Sequence, residues 1–145
     1  MTRDDFSFFH TLRVRWAEVD MQGIVFNGHY LTYFDVAFTE YWRATGLPDV
    51  LQQAAAGREL FARKASTEYL APARLDDVLD IGVRCAALGR SSLRFALGIF
   101  RGEELINIGE LVYVHADSVA RRSVPLPEEW RATITRIDNL ASEAS

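Results

Sequence analysis

The segment Glu18-Val19-Asp20-Met21-Gln22-Gly23-Ile24-Val25-Phe26-Asn27-Gly28-His29-Tyr30 sets a carboxylate ahead of a short apolar run that ends in Asn-Gly-His. A carboxylate can activate water or attack an acyl carbon. Backbone N–H groups at a helix start can stabilise the oxyanion that forms, because they lack intrahelical acceptors and sit at the positive end of the helix dipole. Asp20 is the candidate for the first role, and the N–H groups of Asn27 and Gly28 are candidates for the second. Gly28 also permits close approach of the backbone to a substrate. By residue type alone, Asp20 reads as a turn residue and Asn27 as a helix cap. An imidazole can act as an acid or base near neutral pH, and His29 adjoins this set, whereas His10 and His115 have less to recommend them.

Two further clusters are suited to an anion. Gly89-Arg90-Ser91-Ser92 offers a guanidinium, two hydroxyls and backbone donors in a turn, and Arg121-Arg122 sets two cations side by side. The plainer alternatives are an ordinary tight turn and a solvated charge pair. Asp35 and Glu40 lie well past the helix start and read as exposed or paired. Cys85, the single cysteine, falls in a strand pattern and reads as a small buried hydrophobe. It cannot form an intrachain disulfide, and no Cys/His set has metal-ligand spacing. Trp16, Phe26, Tyr30, Phe38 and Trp42 read as core, with one or two of them bordering a pocket.

The elements that must position these groups follow from periodicity. The stretch from Thr11 to Ala17 alternates apolar and charged residues, as a half-buried strand does. From Tyr30 to Trp42 the apolar residues recur at steps of three and four, over a stripe wide enough for a deeply buried helix. That helix starts near Asn27 and stops at Gly46 and Pro48. Residues 47–57 read as a short helix. Four strands follow at 60–70, 78–88, 92–101 and 105–115, separated by Ala-Pro-Ala, Gly-Arg-Ser and Gly-Glu-Glu turns too short for parallel crossovers. A terminal helix spans about 127–138, and the last residues, 140–145, read as frayed.

The chain has 145 residues, 49% of them hydrophobic, enough for one domain spanning 1–145 with a core of its own. A formal net charge of -4 provides no global basic field, which argues against a nucleic-acid partner. No window approaches the apolar length of a membrane span, and the N-terminus lacks a signal-type segment, so a cytoplasmic protein is expected.

A strand, a buried helix and four antiparallel strands define an α+β layout in which a curved sheet wraps one helix. The ordered set Asp20-x-x-Gly23-Ile24-Val25, Tyr30, Gly46-Leu47-Pro48, Glu68-Tyr69-Leu70-Ala71-Pro72-Ala73-Arg74 with Asp77, Gly89-Arg90-Ser91-Ser92 and Arg121-Arg122 before Pro125-Leu126-Pro127 resembles the hot-dog-fold acyl-CoA thioesterases of the 4-hydroxybenzoyl-CoA thioesterase type. The likeness covers about residues 11–131. It implies a hot-dog fold with a sheet of about five strands, and hydrolysis of a small or medium acyl-CoA or an aryl-CoA. Asp20 would be the catalytic carboxylate, as general base or nucleophile, and the Asn27 N–H would polarise the carbonyl. Many relatives carry Tyr or His where Asn27 stands, so a side-chain proton donor at that position is missing here. The resemblance also implies coenzyme A contacts around Arg90, Ser91, Ser92, Arg121 and Arg122, with Phe26 and Tyr30 near the acyl group. It implies no metal or redox cofactor, and a homodimer or homotetramer whose site residues come from two chains. The competing readings are a hot-dog hydratase or dehydratase, and a non-catalytic module that binds acyl-CoA or an acyl carrier protein.

Overall fold

The computed structural model describes residues 1–140. In chain order the elements are β1 (Phe9–Arg13), α1 (His29–Thr45), α2 (Val50–Ala55), β2 (Arg58–Tyr69), β3 (Val78–Leu88), β4 (Ser92–Arg101), β5 (Glu104–Asp117), β6 (Arg122–Ser123) and α3 (Glu128–Asp138). The strands form one antiparallel sheet in the order β1-β3-β4-β5-β2, and the two-residue β6 pairs with β5. Register shifts at Ala62/Lys64, Cys85/Ala87 and Ile99/Phe100 mark the bulges that curl it. This is the α+β hot-dog arrangement, a curled sheet closed on α1.

Alternation along the central strands sets the inner face. Leu79, Ile81, Val83 and Cys85 of β3, with Leu93, Phe95, Leu97 and Ile99 of β4, are fully buried. Against them α1 presents Tyr30, Tyr33, Phe34, Ala37, Tyr41 and Trp42. The closest approach of helix to sheet is at Gly109, where a Cβ would lie 2.2 Å from the Phe34 ring. Glycine there is a packing requirement, because any side chain would push α1 off the sheet. The helix ends at Gly46, whose φ of 75° is left-handed.

One open end of the sheet is closed by α3. Trp130 packs edge-on against Trp42 with ring centroids 5.1 Å apart, and Ile134 is buried. Asp138 accepts hydrogen bonds from the Tyr41 hydroxyl and, at 2.8 Å, from the Cys85 N–H. Burial, with Asp138 nearby, pushes the Cys85 thiol up to about 12, so it is the inert core residue expected from its strand position.

Several details differ from expectation. The first strand runs Phe9–Arg13 and not Thr11 to Ala17. After Arg13 the chain bonds to the loop before β3, with Val14 N–H on Asp77 C=O and Asp76 N–H on Val14 C=O, and then enters a 3-10 turn at Trp16–Glu18. Trp16, expected in the core, is thereby turned out and 79% exposed. Phe26 is likewise exposed, while Tyr30 and Trp42 are buried and Phe38 packs against the core. The expected frayed tail lies, apart from Leu140, outside the described residues. Among the described residues no helix is long and apolar enough to cross a membrane.

Candidate active site

Asp20 opens a tight reverse turn. Its N–H donates to Ile24 C=O at 2.9 Å, its C=O accepts from Gly23 N–H at 3.0 Å, and its Oδ1 accepts from Gln22 N–H at 2.8 Å. Gly23 takes a φ of 76°, which a side chain would strain. The carboxylate therefore has one oxygen engaged by its own turn and stands exposed at the surface.

Two supports hold this turn. On one side the segment after β2 pairs with it: Val25 N–H donates to Ala73 C=O at 2.9 Å and Leu75 N–H to Gly23 C=O at 3.3 Å. Arg101 pins that segment through Pro72 C=O at 3.0 Å and Asp77 at 2.8 Å. On the other side lies Glu18, a carboxylate only 7% exposed. It accepts from the Arg15 N–H at 2.8 Å, the Arg15 guanidinium at 2.6 and 3.0 Å, and the Tyr33 hydroxyl of α1 at 2.9 Å. Burial pushes the Glu18 carboxyl up, but these hydrogen bonds together outweigh it and hold it below the ordinary range.

The helix start adjoins the turn directly, since Phe26 N–H donates to Glu18 C=O at 3.0 Å. The expected side-chain cap by Asn27 does not form. Gly28 already has helical φ and ψ, and the first turn is tightened by backbone bonds from His29 N–H to Phe26 C=O at 3.0 Å and from Tyr30 N–H to Asn27 C=O at 3.4 Å. Those carbonyls satisfy donors that a cap would have taken. The N–H groups of Asn27 and Gly28 remain without a protein acceptor among the described residues. Phe26, 58% exposed, covers one side of Gly28, where a Cβ would meet its ring at 3.2 Å. Its neighbour His29 stacks edge-on to the same ring. The buried Tyr30 hydroxyl accepts from Ala73 N–H at 3.1 Å, tying the helix start to the segment that supports the Asp20 turn.

The other candidate cluster lies at the far end of the sheet. Tyr69, which touches the helix start, pairs with Asn107, whereas Ser92 pairs with Val114 and Arg122 with Asp117. The seven residue steps along β5 from Asn107 to Val114 span roughly 23 Å. Within one chain, then, Asp20, Phe26, Asn27, Gly28 and Tyr30 come together at one end, and Arg90, Ser91, Ser92, Arg121 and Arg122 at the other. At that second end Arg90 C=O accepts from Leu126 N–H and Ser91 C=O from His115 N–H, both at 2.8 Å, while the side chains of Arg90, Arg121 and Arg122 stay exposed. A cavity of about 560 Å³ opens between α1, α2, β2 and β5. Asp35, Phe38, Trp42, Leu60 and Tyr113 line it, and the Tyr113 hydroxyl donates to Asp35 at 3.1 Å.

Residue types and spacing do not single out Glu18, Tyr33, Tyr69 or Arg101. The signal for Glu18 is its spacing of three from Arg15 in a non-helical segment, which permits the pair that closes the turn.

Known proteins share this fold. The thioesterase superfamily profile matches residues 22–107. The chain is 33% identical over 119 residues to an acyl-CoA thioester hydrolase, YbgC, of Escherichia coli, covering 81% of this chain and 87% of that one. It superposes on a Thermus thermophilus thioesterase crystallised with coenzyme A and zinc at a TM-score of 0.83 and 29% identity, over 95% of this chain and 98% of that one. A 1,4-dihydroxy-2-naphthoyl-CoA thioesterase from Synechocystis shares the fold at a TM-score of 0.83 and 21% identity, over 90% and 97% of the two chains. The chain belongs to the thioesterase superfamily and is a thioester hydrolase.

Proposed function

We propose that this protein hydrolyses a small or medium acyl-CoA, or an aryl-CoA, to the free acid and coenzyme A. The observation that carries the reading is the junction of the Asp20 turn with a helix start whose Asn27 and Gly28 N–H groups lack protein acceptors. The thioester carbonyl oxygen accepts from these N–H groups, which stabilise the charge that develops on it. Asp20 either takes a proton from water as water attacks the acyl carbon, or attacks that carbon itself and is released by water. In both routes the C–S bond breaks and the thiolate of coenzyme A leaves and is protonated. No side chain at position 27 supplies that proton, since Asn27 does not titrate.

Support for the carrier comes from the relatives: the Escherichia coli protein is named an acyl-CoA thioester hydrolase, and the Thermus thermophilus structure contains coenzyme A. Gly28, Leu31, Thr32, Asp35 and Phe38 follow one another on one face of α1, and this face leads over roughly 10 Å from the N–H donors to the Asp35–Tyr113 cavity. That cavity suits an acyl or aryl group.

The reading includes a homodimer or homotetramer in the cytoplasm. At twelve residues, β2 is a long edge strand with mostly exposed side chains. Antiparallel pairing of two such edges sets the Asp20 end of one copy against the Arg90, Ser91, Ser92, Arg121 and Arg122 end of the other. The coenzyme A phosphates then meet cations from a second chain.

The test is thiol release from a panel running from acetyl-CoA through medium chains to benzoyl- and hydroxybenzoyl-CoA, with crotonyl-CoA hydration followed in parallel. Saturable release on at least one thioester is expected. Hydration without release would replace this reading with a hydratase, and coenzyme A binding without either would replace it with a binding module.

A further inference from the structure

Two N–H groups at the helix start are assigned to the oxyanion, and each belongs to a peptide plane whose carbonyl points the opposite way, because these peptide bonds are trans. Fixing the carbonyl of a plane therefore aims its N–H. The Phe26–Asn27 plane is fixed by α1 itself, through His29 N–H on Phe26 C=O at 3.0 Å. The Asn27–Gly28 plane is held less well by the helix, since Tyr30 N–H reaches Asn27 C=O only at 3.4 Å. Gly28, lacking a side chain, adds little resistance to rotation of that plane.

A second donor supplies what the helix does not. The Tyr69 hydroxyl donates to Asn27 C=O at 3.1 Å. Tyr69 is the last residue of β2, and although 49% exposed its ring is seated edge-on against Tyr30 with centroids 5.3 Å apart. Tyr30 is itself buried and anchored by Ala73 N–H. The sheet thus reaches across to the start of α1 through one phenol. We infer that Tyr69 is a positioning residue for thioester hydrolysis: its hydroxyl fixes the Asn27–Gly28 peptide plane and so aims the Gly28 N–H at the carbonyl oxygen of the substrate. The inference rests on the proposed function above.

Tyr69→Phe removes the hydroxyl and keeps the ring. It should lower kcat about tenfold while KM stays within about twofold and the thermal midpoint is unchanged, as expected when one aiming hydrogen bond is lost from a surface-facing ring. A second readout does not depend on turnover. Asn27-Gly28 is the only Asn-Gly step in the chain, so protein labelled with carbonyl-13C asparagine and 15N glycine gives a single correlated signal from that peptide. That signal should move in Tyr69→Phe. An unmoved signal, or unchanged kcat beside a moved one, overturns the inference and leaves the thioesterase reading standing. A wild-type protein inactive on every thioester overturns the reading, and the inference with it.

Discussion

Replacing Glu18 by Ala probes the support beneath the Asp20 turn. The ion pair with Arg15 contributes little, because the Arg15 side chain is 78% exposed and solvent screens it. The larger losses are local. The buried Tyr33 hydroxyl is left without its acceptor, at about 1–3 kcal/mol, and the Arg15 N–H loses the side-chain cap that closes the 3-10 turn, at about 1 kcal/mol. Together these predict roughly 2–4 kcal/mol of destabilisation, a fall in thermal midpoint on the order of 10 °C for a chain of this length. Glu18→Gln keeps an acceptor for Tyr33 and should lose less than half as much. The pH dependence has a definite sign. The folded carboxyl titrates below its ordinary value of 4.5, so its contribution is complete above that pH and fades as pH falls through the folded value. Urea melts of wild type, Glu18→Ala and Glu18→Gln at pH 7 and at steps below pH 4.5 should show the gap between wild type and Gln narrowing with acid. A Glu18→Ala protein within about 0.5 kcal/mol of wild type, or a gap that does not change with pH, would show that Glu18 does not hold the turn.

Gly109→Ala should destabilise by about 1–3 kcal/mol or more and loosen α1, because the new methyl overlaps the buried Phe34 ring; chemical denaturation reads this directly. Asp138→Ala should speed modification of Cys85 by a thiol reagent in the native protein, since the Tyr41 hydroxyl and the Cys85 N–H both lose their acceptor and α3 loosens. Burial lowers the pKa of His115, whose ring packs at a tilt against Trp130 with its Nδ1 3.2 Å from Pro125 C=O. Its NMR titration midpoint should therefore fall below 6.5, and wild type should lose stability relative to His115→Asn as pH drops below that value.

The fold was legible because its signals are local and redundant. Alternation in β4, the three-and-four spacing of Tyr30, Phe34, Ala37 and Tyr41, and the stops at Gly46 and Pro48 all name their elements without knowledge of neighbours. The error at Thr11 to Ala17 has a local cause: the alternation continues past Arg13, but Glu18 reaches back to Arg15 and draws the chain into a turn, which no periodicity reports. The Asn27 cap failed for a related reason. Residue preference marks a good cap, yet the first turn closed on backbone carbonyls and left Gly28 helical. At the site, Asp20 and the helix start stand close together in sequence and were readable there. Tyr69 and Arg101 act through partners up to 42 residues away, as the bond from Tyr69 to Asn27 shows, and only folding identifies them. The arginines at 90, 121 and 122 stood out as candidates for an anion, but their separation from Asp20 follows from strand register alone.

The most direct trial of the central claim is thiol release by Asp20→Asn beside wild type, on the best acyl-CoA of the panel and with matched thermal midpoints. Loss of the carboxylate should lower kcat by roughly a hundredfold to ten-thousandfold, with coenzyme A affinity retained. A folded Asp20→Asn enzyme that keeps turnover within about tenfold of wild type would contradict the assignment of Asp20 as the reacting carboxylate.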